Sequence, residues 1–171
     1  MSKAKKALRG ALAGTIVIAL ALVGHGLSQD AAANRTFAAF ASGDQVVEPT
    51  GSLALAHAVF QLSEDGTELH YRLVVANLED LTMAHIHLAP RGENGPVVAW
   101  LYPEAPPPSP IEGRFDGELA EGTITAEVLA GPLEGMTLDD LVAEMTAGNT
   151  YVNIHTEEHG GGEIRGQIFE E

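Results

Sequence analysis

Cysteine is absent from all 171 residues, so no disulfide staples the fold and no thiolate is available as nucleophile or metal ligand. Lysine is absent beyond Lys6. After position 28 the only basic residues other than histidine are Arg35, Arg72, Arg91, Arg114 and Arg165. They face all 24 acidic residues, a net charge of −19 for that part of the chain. Such a surface repels nucleic acid and anionic lipid and argues against both as partners; it favours cations, basic partners or a saline habitat. No serine stands in a nucleophile-elbow pattern. The glycine run Gly160–Gly162 lacks the strand–loop–helix and lysine of a phosphate loop.

What is present begins with an address. Lys3, Lys5, Lys6 and Arg9 precede fourteen mostly apolar residues from Ala11 to Gly24, too short for a bilayer span of about 20 residues but fitting the core of a secretory signal. Residues 1–28 are therefore expected to be a signal peptide, with cleavage falling between 26 and 33, and the remainder to be secreted or extracytoplasmic (periplasm or cell envelope). The alternative is an uncleaved anchor, the one route to a membrane association. Without a cysteine after the apolar run, a cysteine-type lipid anchor is excluded. The residues beyond 28 suffice for one domain that buries about two-thirds of its unfolded surface.

Short alternating segments between turn residues predict a mainly β domain, an antiparallel sandwich or barrel. Strands are expected at 36–41, 53–62, 69–75, 83–88, 96–101, 122–128, 151–156 and 163–169. The proline-rich segment 102–113 is expected to be an extended loop. One short helix is predicted at about 137–147: Thr137 as N-cap, Asp140 three positions on, Leu138, Leu141, Val142 and Met145 at helical spacing, and Gly148 as terminator.

The chemistry gathers on two strands. In Met83-Ala84-His85-Ile86-His87-Leu88, alternation puts both histidines on one face; in Tyr151-Val152-Asn153-Ile154-His155-Thr156 it puts Tyr151, Asn153 and His155 together. If the strands are neighbours, His85, His87 and His155 converge. Three imidazoles suit copper or zinc with an open coordination position, and His159 is the candidate fourth ligand. The competing possibility is a polar network in which the same histidines are satisfied by Asn153, Arg165 and Glu163. His57 and His70 are expected at the surface, Glu157 and Glu158 in a solvated loop, and Glu163 and Arg165 paired with each other or across strands.

Two ordered blocks carry a family resemblance. The first is Ala84-His85-Ile86-His87 followed by Gly92-Glu93-Asn94-Gly95-Pro96-Val97-Val98; the second runs from Ala147 to Thr156 and ends in Gly162-Glu163-Ile164-Arg165-Gly166-Gln167-Ile168. In these the chain resembles the CHRD (chordin) domain family of the single-domain secreted prokaryotic type, over about 36–169. Gly160 replaces a frequent proline, and the glutamate–proline element is blurred as Val47-Glu48-Pro49. The resemblance implies an immunoglobulin-like antiparallel β fold outside the cytoplasm and a binding module for an unidentified extracellular ligand or protein. The growth-factor binding of chordin is attributed mostly to other modules and is not carried over. Two alternatives stand beside it: a copper- or zinc-dependent redox enzyme resembling superoxide dismutase, an architectural analogy without that enzyme's bridging histidine or disulfide, and a purely structural envelope domain. No catalytic residue is assigned.

Overall fold

The computed structural model describes residues 35–171; the expected signal segment lies outside them. Eight strands and one α-helix follow in order: β1 (Thr36–Ser42), β2 (Leu55–Leu62), β3 (Leu69–Leu88), β4 (Val97–Tyr102), β5 (Ile111–Ile124), α1 (Leu138–Thr146), β6 (Thr150–Thr156), β7 (Ile164–Gln167) and β8 (Phe169–Glu170). All pairings are antiparallel. The sheet runs β2-β1-β7-β6-β3-β4, and β2 also pairs with β3, so the path returns on itself and closes a barrel. The mainly β architecture with one short α-helix is as expected.

The twenty-residue β3 is the element that makes closure geometrically feasible. Its first half lies between β2 and β5, and its second half between β6 and β4. Between the halves the chain bends where Asn77 and Asp80 adopt positive φ, 62° and 46°, a region that Asn and Asp tolerate better than most residues. The bend is tied to β5: Asn77 N–H donates to Asp116 Oδ1 at 2.7 Å and Gly113 N–H to Asp80 Oδ1 at 2.7 Å. The two separate strands expected at 69–75 and 83–88 are thus one strand.

Strand β5 is the main departure from expectation. Composition predicts an extended loop over 102–113 and a strand only from Gly122. Instead, pairing with β3 runs from Leu81↔Ile111 to Leu69↔Ile124, and residues 126–128 form a 3-10 turn rather than strand. Its Gly- and Glu-rich composition has weak strand propensity; most of its side chains remain at least partly exposed, so the ladder with β3 holds it in place. The closing 163–169 segment likewise divides into β7 and β8.

Phe37, Phe60, Leu69, Leu73, Leu81, Ile86, Leu101, Val152, Ile154 and Ile164 fill the barrel interior. Helix α1 lies against it through Leu138, Leu141, Val142 and Met145. Its start is a capping box: Asp140 N–H donates to Thr137 Oγ1, and Thr137 N–H to Asp140 Oδ2 at 2.9 Å. Thr137→Ala is expected to cost about 1 kcal/mol, read as a lower denaturant midpoint with unchanged m-value; an unchanged midpoint would show that packing alone sets the helix start.

Candidate metal centre

Register brings the two histidine-bearing segments side by side. Strand β6 pairs with the second half of β3 as Met83↔His155, Ala84↔Ile154, His85↔Asn153, Ile86↔Val152 and His87↔Tyr151. Directly opposed residues share a face. Ala84, Ile86, Val152 and Ile154 therefore enter the core, and Met83, His85, His87, Tyr151, Asn153 and His155 form the opposite layer. Apart from the partly exposed Met83, that layer is buried too: His85 is 3 % exposed, His87 8 % and His155 5 %. The ligand atoms of the three histidines all lie within 4.8 Å of one another.

Carbonyl oxygens only accept, so the protons can be placed. His87 Nδ1–H donates to Gly95 O at 2.8 Å and His155 Nδ1–H to Gly160 O at 3.0 Å. Both rings thereby keep a lone pair on Nε2. His155 Nε2 accepts from His85 Nδ1–H at 3.2 Å and from Asn153 Nδ2 at 3.4 Å. Nothing remains for the other two: His85 Nε2 and His87 Nε2 are buried without any partner. An unpaired buried acceptor costs about 1–3 kcal/mol. The polar network that was the competing possibility thus forms only in part.

The charge state suits ligation. Burial pushes His85 down to about 3, with His155 and His87 adding to the effect. Burial brings His87 to about 4 although its bond to Gly95 works in the other direction, and lowers His155 against its bond to Gly160. At neutral pH all three are uncharged, the form that binds a metal.

Two loops hold the histidines through those carbonyls. The turn after β3 is clamped by Arg165, whose guanidinium donates to Glu93 O at 2.6 Å and Pro90 O at 3.0 Å and lies 3.5 Å from the centroid of the Tyr151 ring. Tyr151 in turn stacks on His87 and accepts from Gly95 N–H at 3.1 Å. Glycine is required at two points. A Cβ on Gly95 would fall 1.9 Å from Leu88 O, and one on Gly162, at φ +118°, would fall 2.3 Å from the Asn153 amide.

Of the two arrangements expected for Glu163 and Arg165, mutual pairing does not form and each side chain reaches other elements instead. Arg165 binds carbonyls and Gln167, while Glu163 accepts from Ser52 Oγ and Thr156 Oγ1. Neither bonds the histidines; of the residues named for that network only Asn153 does. His159 stands apart from the triad, along a groove of about 320 Å³ with Glu48, Asn94 and Gly160–Gly162. His57 and His70 are exposed, as expected. One neighbour went unforeseen: Trp100 of β4 meets the His85 ring edge-on, centroids 4.3 Å apart. Only the β3–β4 register, which has two irregularities here, brings it there.

The CHRD domain model matches residues 37–168. The chain belongs to the CHRD domain family. CHRD domains are non-enzymatic, extracellular-type binding modules of unspecified ligand. Among curated proteins and solved structures, none matches. Among the described residues no helix is long and apolar enough to cross a membrane. The CHRD blocks named from sequence now have physical roles: the Ala84–His87 strand and the Tyr151–Thr156 strand supply the triad, the Gly92–Val98 block supplies the Gly95 carbonyl that orients His87, and the Gly162–Ile168 block supplies Arg165; the Gly160 carbonyl that orients His155 lies just outside them.

Proposed function

We propose that this CHRD domain acts outside the cytoplasm as a binding module for a transition-metal ion, copper or zinc, held by His85, His87 and His155. The observation that carries this reading is the pair of buried, partnerless Nε2 atoms on His85 and His87, beside a third imidazole whose tautomer also presents Nε2. Coordination through His85 Nε2 and His87 Nε2 would satisfy both unpaired nitrogens, whereas coordination through His85 Nδ1 would move that ring's proton to Nε2 and satisfy only His87. The Nδ1–H bonds to Gly95 and Gly160 aim the other two rings in the way that outer hydrogen bonds orient histidine ligands.

Chelator-stripped chain reloaded with copper or zinc is expected to retain one ion per chain, and the His85→Ala/His155→Ala variant none. Unchanged metal content in the folded variant would overturn the reading. Trp100, the chain's one tryptophan, reports uptake independently, because copper(II) bound next to it quenches its fluorescence. A second expectation concerns linkage. At a free metal concentration a hundredfold above Kd, binding contributes about 2.7 kcal/mol to stability, seen as a raised Tm at pH 7.5. Because burial keeps His85 and His87 neutral until about pH 3 and about pH 4, the increment persists at pH 5 and is lost only as the pH falls through about 4, where protons compete for the imidazoles; an increment that vanishes between pH 7.5 and 5 would show that the ligands are not these buried histidines. Loaded protein that leaves superoxide untouched would retire the dismutase-like alternative.

A further inference from the structure

Met83 has no role in the triad as described, yet register puts it directly across from His155. Directly opposed residues have Cβ atoms about 4.5–5.5 Å apart on the same face. Met83 is absent from the hydrophobic core cluster that holds its neighbours Ala84 and Ile86. It is partly exposed, whereas every other member of the layer, His85, His87, Tyr151, Asn153 and His155, is buried. It therefore stands at the rim of the histidine layer, beside the ring whose Nε2 is presented to a metal.

Resting on the metal-binding reading above, we propose that Met83 is a thioether ligand that makes this centre a copper site, binding copper(I) through His85, His87, His155 and Met83. Three imidazoles alone serve zinc and copper comparably, because imidazole is a borderline donor. A thioether is soft: it adds affinity for copper(I) and next to nothing for zinc(II). With no cysteine in the chain, Met83 is the one soft donor that the register places against the triad. Its flexible side chain has three rotatable bonds with which to bring sulfur over His155, so the backbone need not move. The partial exposure of Met83 also leaves the centre one side from which an ion can be delivered, since the histidines are shut off by the loops that orient them.

The experiment compares the full chain with Met83→Leu, a substitution that conserves volume and preserves the fold, checked by an unchanged thermal transition in metal-free buffer. Copper(I) affinity is measured by anaerobic competition with a chromophoric copper(I) chelator, and zinc(II) affinity by competition with a chromophoric zinc chelator. Met83→Leu is expected to weaken copper(I) by at least about tenfold while zinc(II) changes by less than about twofold. An equal loss for both metals, or none for either, would overturn Met83 as a copper ligand and leave the histidine triad standing. A native chain that takes up neither ion would overturn both readings at once. X-ray absorption gives a second readout: sulfur scattering at copper in the native protein that vanishes in Met83→Leu.

Discussion

Moving the metal-free protein from pH 7 to pH 5 is expected to remove about 3–5 kcal/mol of stability, a large share of the roughly 5–15 kcal/mol available to a domain. In the folded protein His85 is held at about 3, His87 at about 4 and His155 below its ordinary value, in each case chiefly by burial. Unfolded, each titrates near about 6.5. The sign follows directly. Below about pH 6.5 the unfolded chain takes up three protons that the folded chain refuses, so acid favours unfolding, by up to about 1.4 kcal/mol per imidazole per pH unit. Stability is complete above the unfolded value and falls until the folded imidazoles themselves protonate, near pH 4 and 3 for His87 and His85. Carboxylates whose pKa is depressed, such as Asp116 beside Arg114, lose their contribution only at lower pH. Relief of the large negative charge acts in the opposite sense, also mainly where carboxylates protonate. Denaturant midpoints at pH 7 and pH 5 test this, with His85→Gln/His87→Gln as the control that removes two of the three groups. Equal midpoints at the two pH values, or an unaltered pH slope in the control, would show that the histidines are not buried as a neutral cluster.

Replacing Arg165 by alanine is expected to cost about 3–5 kcal/mol. Its side chain is 2 % exposed and donates to Glu93 O, Pro90 O and Gln167 Oε1 while lying over Tyr151. Truncation strands those acceptors, leaves a cavity and releases the turn whose Gly95 carbonyl orients His87. Two readouts should therefore move together, stability and metal affinity. Arg165→Lys retains the charge but lacks the planar fork that reaches several acceptors at once, and is expected to recover less than half of the loss. A fall below about 1 kcal/mol for Arg165→Ala, or metal affinity untouched in the folded variant, would mean that the turn holds itself.

Several features were legible because they depend on neighbours along the chain. Helix α1 announced itself through Thr137, Asp140 and the spacing of Leu138, Leu141 and Met145, all of which interact within two turns. Alternation in 83–88 and 151–156 put the histidines on common faces. The length and bend of β3 were not legible, since Asn77 and Asp80 read locally as a break and become a bend only once Asp116 and Gly113 of β5 bind them. Strand β5 itself was hidden by its own composition. Of the two arrangements expected for Glu163 and Arg165, mutual pairing does not form because opposite charges on one face need not meet: carbonyls of the Pro90–Glu93 turn are better placed for the guanidinium, and Ser52 and Thr156 for the carboxylate.

By itself, then, the sequence determined the family, the β class, the single helix and the identity of the three imidazoles, because residue type and periodicity decide those. Only the tertiary structure decided that the imidazoles meet, that Gly95 and Gly160 carbonyls set two of their tautomers, that two nitrogens are left without partners, and that Met83 and Trp100 flank them. Each of those depends on the register between strands separated by up to about seventy residues or on loop carbonyls. Register comes from closing the barrel around its core, not from any residue's local preference.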